Sequence, residues 1–434
     1  MKIELQQKTE SFLLLYHYIR NHGYIRNIYN KKYIKRIQDK KLRRIIKHAY
    51  NSSLYRDKFI QAGLTPKDIL CVEDLYKFPI LTKTELKEWM TRELKDNASK
   101  YEKWHRDNTS GSTGTPLQVR YTPYEHAGMM AKIFMIYKIA GQNIFLNTMF
   151  SISSPAHQGG ETKSFIKKLG LAVKYRTSQL DEPKKIVEKF NSTKPDLLNA
   201  NVSHILSMIE YAENNGIVLH QPKIVVSTAE KMTDERLALM RKHFGDQCTI
   251  MDNYGSIETG AMACNVTRDV YIKHFIYPYN CFIVKDEEGK KSNHGIIYIT
   301  SLFQKEIPLI NYELGDIVET REENGVTVIC KVEGRQDDWI KFKDGTKVPF
   351  QHVYEMMSPI EGIIKYKAIQ EDYMHLVLKC VKLNESYDTI AIEKKIQENA
   401  KEIFHDRIEV VVEWVDDIEV ERNGKIRMLI SKVQ

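Results

Sequence analysis

The chain has 434 residues, 42% of them hydrophobic and 28% charged, a balance that fits a globular protein of two or three domains with a large buried core. Its net charge of +8 is uneven. Residues 1–60 hold 15 Lys and Arg against 4 Asp and Glu, and the rest hold 50 against 53, so the body is near neutral, which argues against a whole-surface nucleic-acid binder and for no nucleic-acid partner. Six scattered cysteines without a Cys-x-x-Cys pair exclude a disulfide framework and fit a reducing, cytoplasmic setting. The start, Met1-Lys2-Ile3-Glu4, has no leader-like apolar core, and the apolar run 12–16 falls far short of the about 20 residues a membrane span needs.

Residues 1–60 read as helical. A helix is predicted over 40–50, where Leu42, Ile45, Ile46 and Ala49 share one face, with basic residues opposite. Tyr16, Tyr18, Tyr24, Tyr29 and Tyr33 interleave with the Lys and Arg. This suits a solvated helical cap, and it also suits peripheral contact with an anionic membrane face or an acidic partner. Thr82 and Glu85 form a capping-box pattern after Phe78-Pro79-Ile80-Leu81 and predict a helix over 85–94.

From about 105 to 320, short apolar strands alternate with helical stretches. Strands are predicted at 144–151, 197–198 and 223–227, and helices at 161–169, 183–190, 203–214 and 233–244. This rhythm predicts a layered α/β domain with a largely parallel sheet. Residues 281–285 and 296–300 flank an Asp-Glu-Glu-Gly turn and read as an antiparallel pair. Beyond Gly334, strands at 366–370, 375–381, 408–414 and 427–430 surround a helix at 388–404, which predicts a small α+β domain.

Five polar clusters are predicted at turns. The first, residues 108–116, reads Asn-Thr-Ser-Gly-Ser-Thr-Gly-Thr-Pro; its glycines let backbone N–H groups approach a ligand and its hydroxyls suit phosphate oxygens. The second is Asp252-Asn253-Tyr254-Gly255-Ser256-Ile257-Glu258, where a carboxylate after a glycine turn can hold Mg²⁺ beside a nucleotide. The third is Tyr312-Glu313-Leu314-Gly315-Asp316, whose aspartate can accept both ribose hydroxyls. The fourth is Gly334-Arg335-Gln336-Asp337-Asp338, and the fifth is Gly424-Lys425. There is no Gly-x4-Gly-Lys-Ser/Thr, so a P-loop NTPase is excluded. Cys264, His274, Cys281 and Cys330 leave two readings open, a structural metal site or buried free thiols. His105, His126, His157 and His204 offer no Cys–His hydrolase signature.

In this order the five clusters resemble the adenylate-forming enzymes: acyl-coenzyme A synthetases, nonribosomal adenylation domains and luciferases. Tyr55-Arg56, the run Phe78 to Lys83, Lys194-Pro195-Asp196 and Pro308-Leu309-Ile310 are similar to the phenylacetate–coenzyme A ligase family, especially its capsular-polysaccharide-biosynthesis subfamily. The resemblance covers roughly residues 40–430. It implies a large layered α/β adenylate-forming domain with a helical N-terminal part over 1–104 and an ATP- and acyl-binding core over 105–334. A small, mobile α+β C-terminal lid would span 335–434.

The resemblance also implies a two-step reaction. A carboxylate attacks the α-phosphate of Mg·ATP, giving acyl-AMP and pyrophosphate, and coenzyme A or an amine then displaces AMP. Thr109, Ser110, Gly111, Ser112, Thr113, Gly114 and Thr115 would hold phosphates, and Glu258 would ligate Mg²⁺. Tyr254 would stack near the adenine, and Asn253, Gly255, Ser256 and Glu230 would also lie by the nucleotide. Asp316 would bind the ribose, and Arg335 the ribose or a phosphate. Lys425 would reach the α-phosphate and carboxylate, and Asp337 matches the hinge. His157, Gly159 and Ser256 are candidates for the acyl pocket. Three departures from the family pattern stand out: Ile257 where a hydroxyl residue often precedes the carboxylate, Glu313 for arginine, and Thr115 for lysine. An adenylyltransferase on another acceptor and a non-catalytic scaffold are the rival readings. A homodimer is compatible with all three.

Overall fold

The computed structural model describes residues 2–108, 117–142, 147–153, 173–228, 230–335, 339–357, 360–383, 386–419 and 428–433. The chain divides into two compact units. One comprises Met1–Ile144 and Asn253–Val332, the other Phe145–Asp252 and Glu333–Gln434.

In the first unit, helix Lys31–Ala49 starts nine residues before the predicted segment, because the Asn30 side chain caps it by accepting from Tyr33 N. It buries Ile34, Leu42, Ile45, Ile46 and Ala49 and turns most of its lysines and arginines outward, with Lys41 the exception: its Nζ points inward and donates to Asn21 Oδ1 at 3.2 Å and to Pro278 O. The long helix Lys2–Asn21 packs on helix Pro123–Ile139 and leaves Phe12 and Ile19 exposed. No helix among the described residues is long and apolar enough to cross a membrane.

Thr82 and Glu85 form the expected capping box of helix Lys83–Asp96. The segment before that helix is tied to the chain near residue 311. Leu81 N donates to Asn311 O at 3.0 Å, and Glu313 N to Leu81 O at 3.0 Å. Buried Asn311 adopts a left-handed φ of 48° and donates its amide to the Leu75 and Phe78 carbonyls. The Tyr55 hydroxyl donates to Pro308 O and accepts from Ile310 N at 2.8 Å. These bonds fix where the strand beginning at Tyr312 starts.

That strand, Tyr312–Glu323, lies in an antiparallel sheet of order Asn280–Lys285, His294–Ser301, Tyr312–Glu323 and Val326–Arg335. The first two strands are the predicted hairpin, with Cys281 opposite Thr300. Strands His105–Asn108 and Gln118–Tyr121 form an antiparallel pair joined through residues 109–116.

In the second unit the predicted parallel sheet is present. Its order is Lys174–Ser178, Met149–Ser153, Leu197–Asn201, Ile224–Thr228 and then the first residues of Thr249–Ser256. Helices Pro183–Thr193, Val202–Asn214 and Asp234–Phe244 alternate with these strands. The C-terminal sheet has the order Glu409–Trp414, His375–Lys382, Ile363–Gln370, Leu429–Ser431. Helix Thr389–Phe404 buries Ile392, Ile396, Ala400 and Phe404 in the core it shares with Ala368, Leu376 and Leu378. This is the predicted α+β pattern.

Candidate active site

The second motif is not a turn throughout. Strand Thr249–Ser256 runs on to Ser256, and the turn is Ile257-Glu258-Thr259. The returning strand Gly260–Cys264 pairs Ser256 with Gly260 and Gly255 with Ala261. The approach is tight: a Cβ on Gly255 would lie 2.7 Å from Gly260 O. Gly260 supplies the left-handed φ of 68° that turns the chain.

Three side chains from three other segments hold the carbonyls of this turn. Tyr121 donates to Ile257 O at 2.5 Å, Gln304 Nε2 to Glu258 O at 3.0 Å, and Lys132 Nζ to Thr259 O. Lys132 is fully buried beside the Phe303 ring, and burial lowers its pKa to about 7. Burial, with Glu258 next, pushes the Tyr121 hydroxyl well above the usual phenol range and keeps it a donor. The Ser256 hydroxyl bonds inside the turn, to Thr259 Oγ1 at 3.0 Å.

The third motif is also not a turn. It opens strand Tyr312–Glu323 and contains a bulge: Tyr298 pairs with Glu313 and Ile296 with Ile317, so Leu314, Gly315 and Asp316 are looped out opposite Ile297. Gly315, at φ 77°, makes this backbone accessible.

Two reciprocal hydrogen bonds lace the motifs together. Tyr254 donates to Asp316 Oδ2 at 2.6 Å, and Tyr312 donates to Glu258 Oε1 at 2.8 Å. Each motif gives a phenol and receives one at a carboxylate. Glu258 is 5% exposed, and no lysine or arginine forms an ion pair with it among the described residues. Asn253 Oδ1 is buried without a hydrogen-bond partner among the described residues. A buried acceptor of this kind is open to a donor from a ligand or a water.

Glu230 belongs to the second unit. Its carboxylate accepts from Ser203 N at 2.9 Å and Ser203 Oγ at 2.7 Å, at the start of helix Val202–Asn214. In the same unit, buried Ser227 donates to Asp252 Oδ1 at 3.1 Å. Thr109 to Thr115, His157, Gly159, Asp337 and Lys425 lie outside the described residues, and at Arg335 only the backbone is described.

Residues 340–432 match the model of the CapK C-terminal domain. A phenylacetate-coenzyme A ligase of Pseudomonas putida is 27% identical over 366 residues, covering 78% of this chain and 77% of its own. The protein CapK of Staphylococcus aureus is 22% identical, covering 88% and 86%. Over most of its length the chain is similar to phenylacetate–coenzyme A ligases and to CapK, and its C-terminal part matches the CapK C-terminal domain. The crystal structure of a 2-hydroxyisobutyryl-CoA ligase with its acyl-AMP superposes with a TM-score of 0.75 at 15% identity, covering 93% of this chain and 89% of that one, which places the fold.

The sequence pointed to no role for Tyr121, Gln304 or Lys132 and placed Tyr312 in the third cluster without one, yet each touches the Glu258 turn from far along the chain. One local signal was available. Thr122-Pro123-Tyr124-Glu125 is a capping box with proline at the first helical position, and its Glu125 also accepts from Lys305 N and Glu306 N. The thiol–histidine quartet does not form a metal site among the described residues. Cys264 pairs with His274 across two strands, Cys281 lies in the other sheet, and the Cys330 thiol donates to Glu319 O. Buried thiols are the outcome for Cys264 and Cys281.

Proposed function

We propose that this protein is an ATP-dependent, AMP-forming carboxylate ligase. The observation that carries the reading is the reciprocal lacing of Tyr254 to Asp316 and Tyr312 to Glu258, which presents two carboxylates from a braced turn and a bulged strand. Asp316 accepts from a ribose, Tyr254 stacks by the adenine, and Asn253 Oδ1 accepts from the exocyclic amine. Glu258 fits a divalent cation: its carboxylate is buried with a phenol as its hydrogen-bond donor. Bound Mg²⁺ would neutralise phosphate charge.

The chemistry needs positioning and charge compensation more than acid–base groups. Residues 109–116 hold the leaving pyrophosphate, and Lys425 offers a point charge to the α-phosphate and the attacking carboxylate. Glu230 and Arg335 remain the further nucleotide-binding candidates that the resemblance implies. The segment 335–434 acts as the lid, hinged at Asp337, and AMP then leaves as coenzyme A or an amine takes the acyl group. The phenylacetate-coenzyme A ligase relative supports a thioester product, and the resemblance of the sequence to the capsular-polysaccharide-biosynthesis subfamily suggests a role in surface-polysaccharide assembly. Product mass tests this: free AMP with an acyl conjugate supports ligation, and a stable adenylylated acceptor supports AMP transfer instead.

A further inference from the structure

Outside that site, three side chains with metal-binding atoms meet from three separate elements of the first unit. Glu10 lies on helix Lys2–Asn21, His105 opens strand His105–Asn108, and His126 lies on helix Pro123–Ile139. Their ligand atoms all lie within 4.8 Å of one another. His105 Nε2 is 3.1 Å from Glu10 Oε1, and the His105 and His126 rings are 3.8 Å apart at 14°.

We propose that Glu10, His105 and His126 form a binding site for a divalent transition metal, Zn²⁺ in the first instance. One carboxylate and two imidazoles are a recurrent zinc ligand set with a fourth position left to water. Bonds of about 2.0–2.1 Å place tetrahedral ligand atoms roughly 3.4 Å apart. The Glu10–His105 separation of 3.1 Å is close to this, and because the stacked rings hold their lone pairs in parallel planes, metal binding requires one imidazole to turn out of the stack.

Such a site has a structural consequence. His105 pairs with Tyr121 at the base of the two strands joined through residues 109–116, and Tyr121 carries the bond to Ile257 O. A cation here would pin the long N-terminal helix to the base of that strand pair.

The test uses the full-length chain, stripped with EDTA and titrated with ZnSO₄ without nucleotide, so it is independent of the ligase reading. Zinc retained against a chromophoric chelator is measured by mass spectrometry. About one zinc per chain is expected, with affinity reduced at least about tenfold in His105→Ala and His126→Ala and unchanged in Cys330→Ser. His126→Gln, checked by circular dichroism, guards against an unfolded alanine variant. Zinc should also raise the wild-type Tm and leave the His105→Ala/His126→Ala double variant unmoved. No zinc retained by the wild type, or equal retention in the folded double variant, overturns the site.

Discussion

The Tyr254 hydroxyl donates to Asp316 Oδ2 at 2.6 Å, joining two motifs 62 residues apart. A hydrogen bond to a charged acceptor contributes about 1.5–3 kcal/mol. Here it fixes one oxygen of the carboxylate assigned to the ribose. Tyr254→Phe keeps the ring and removes the donor. KM for ATP in pyrophosphate exchange is expected to rise roughly tenfold, about 1.4 kcal/mol, with a smaller change in kcat. An unchanged KM would separate Asp316 from nucleotide binding.

Tyr312→Phe removes the phenol that donates to buried Glu258. The carboxylate then lacks that donor, at a cost of about 1–3 kcal/mol in urea unfolding. The Mg²⁺ concentration for half-maximal activity should shift as well, because the carboxylate is no longer oriented. A variant equally stable and equally responsive to Mg²⁺ contradicts the assignment of Glu258.

Gly255→Ala tests the strand approach. The added Cβ would lie 2.7 Å from a backbone oxygen, Gly260 O, which cannot move aside like a side-chain tip. A loss of about 1–3 kcal/mol is expected in thermal or urea unfolding. A neutral substitution would show that the two strands are not this close.

Lys132 gives a pH signature. Burial lowers its pKa from 10.5 to about 7 in the folded chain. Between pH 7 and 10.5 the unfolded chain binds the proton that the native chain does not, so stability rises with pH across that window. Below about pH 7 the cost is fully present. Lys132→Met removes this contribution, and the stability slope between pH 7.5 and 9.5 should fall by about 1.4 kcal/mol per pH unit. Buried Lys41, also lowered to about 7, acts in both proteins and cancels in the difference. Parallel slopes would show that Lys132 titrates normally.

What the sequence revealed divides by range. The capping box at Thr82–Glu85, the amphipathic face of Leu42, Ile45 and Ala49, and the 281–285/296–300 hairpin are local patterns, and all are present. The candidate site was legible as motifs but not as geometry. Tyr-Glu-Leu-Gly-Asp read as a turn because Gly315 signals a left-handed residue, yet neighbouring strand His294–Ser301 holds that glycine in a bulge. The partners of the Glu258 turn lie 46 to 136 residues away, at Gln304, Tyr312, Lys132 and Tyr121, and no local spacing encodes them.

The central claim is tested most directly by carboxylate-dependent exchange of pyrophosphate into ATP, run with a panel of aromatic, aliphatic and amino acids. At least one acid should support exchange in the wild type. Lys425→Ala should reduce it by about 100-fold or more, in keeping with the loss of one charge-stabilising group. The account is contradicted if no acid supports exchange while ATP fails to raise the Tm in a Glu258-dependent way.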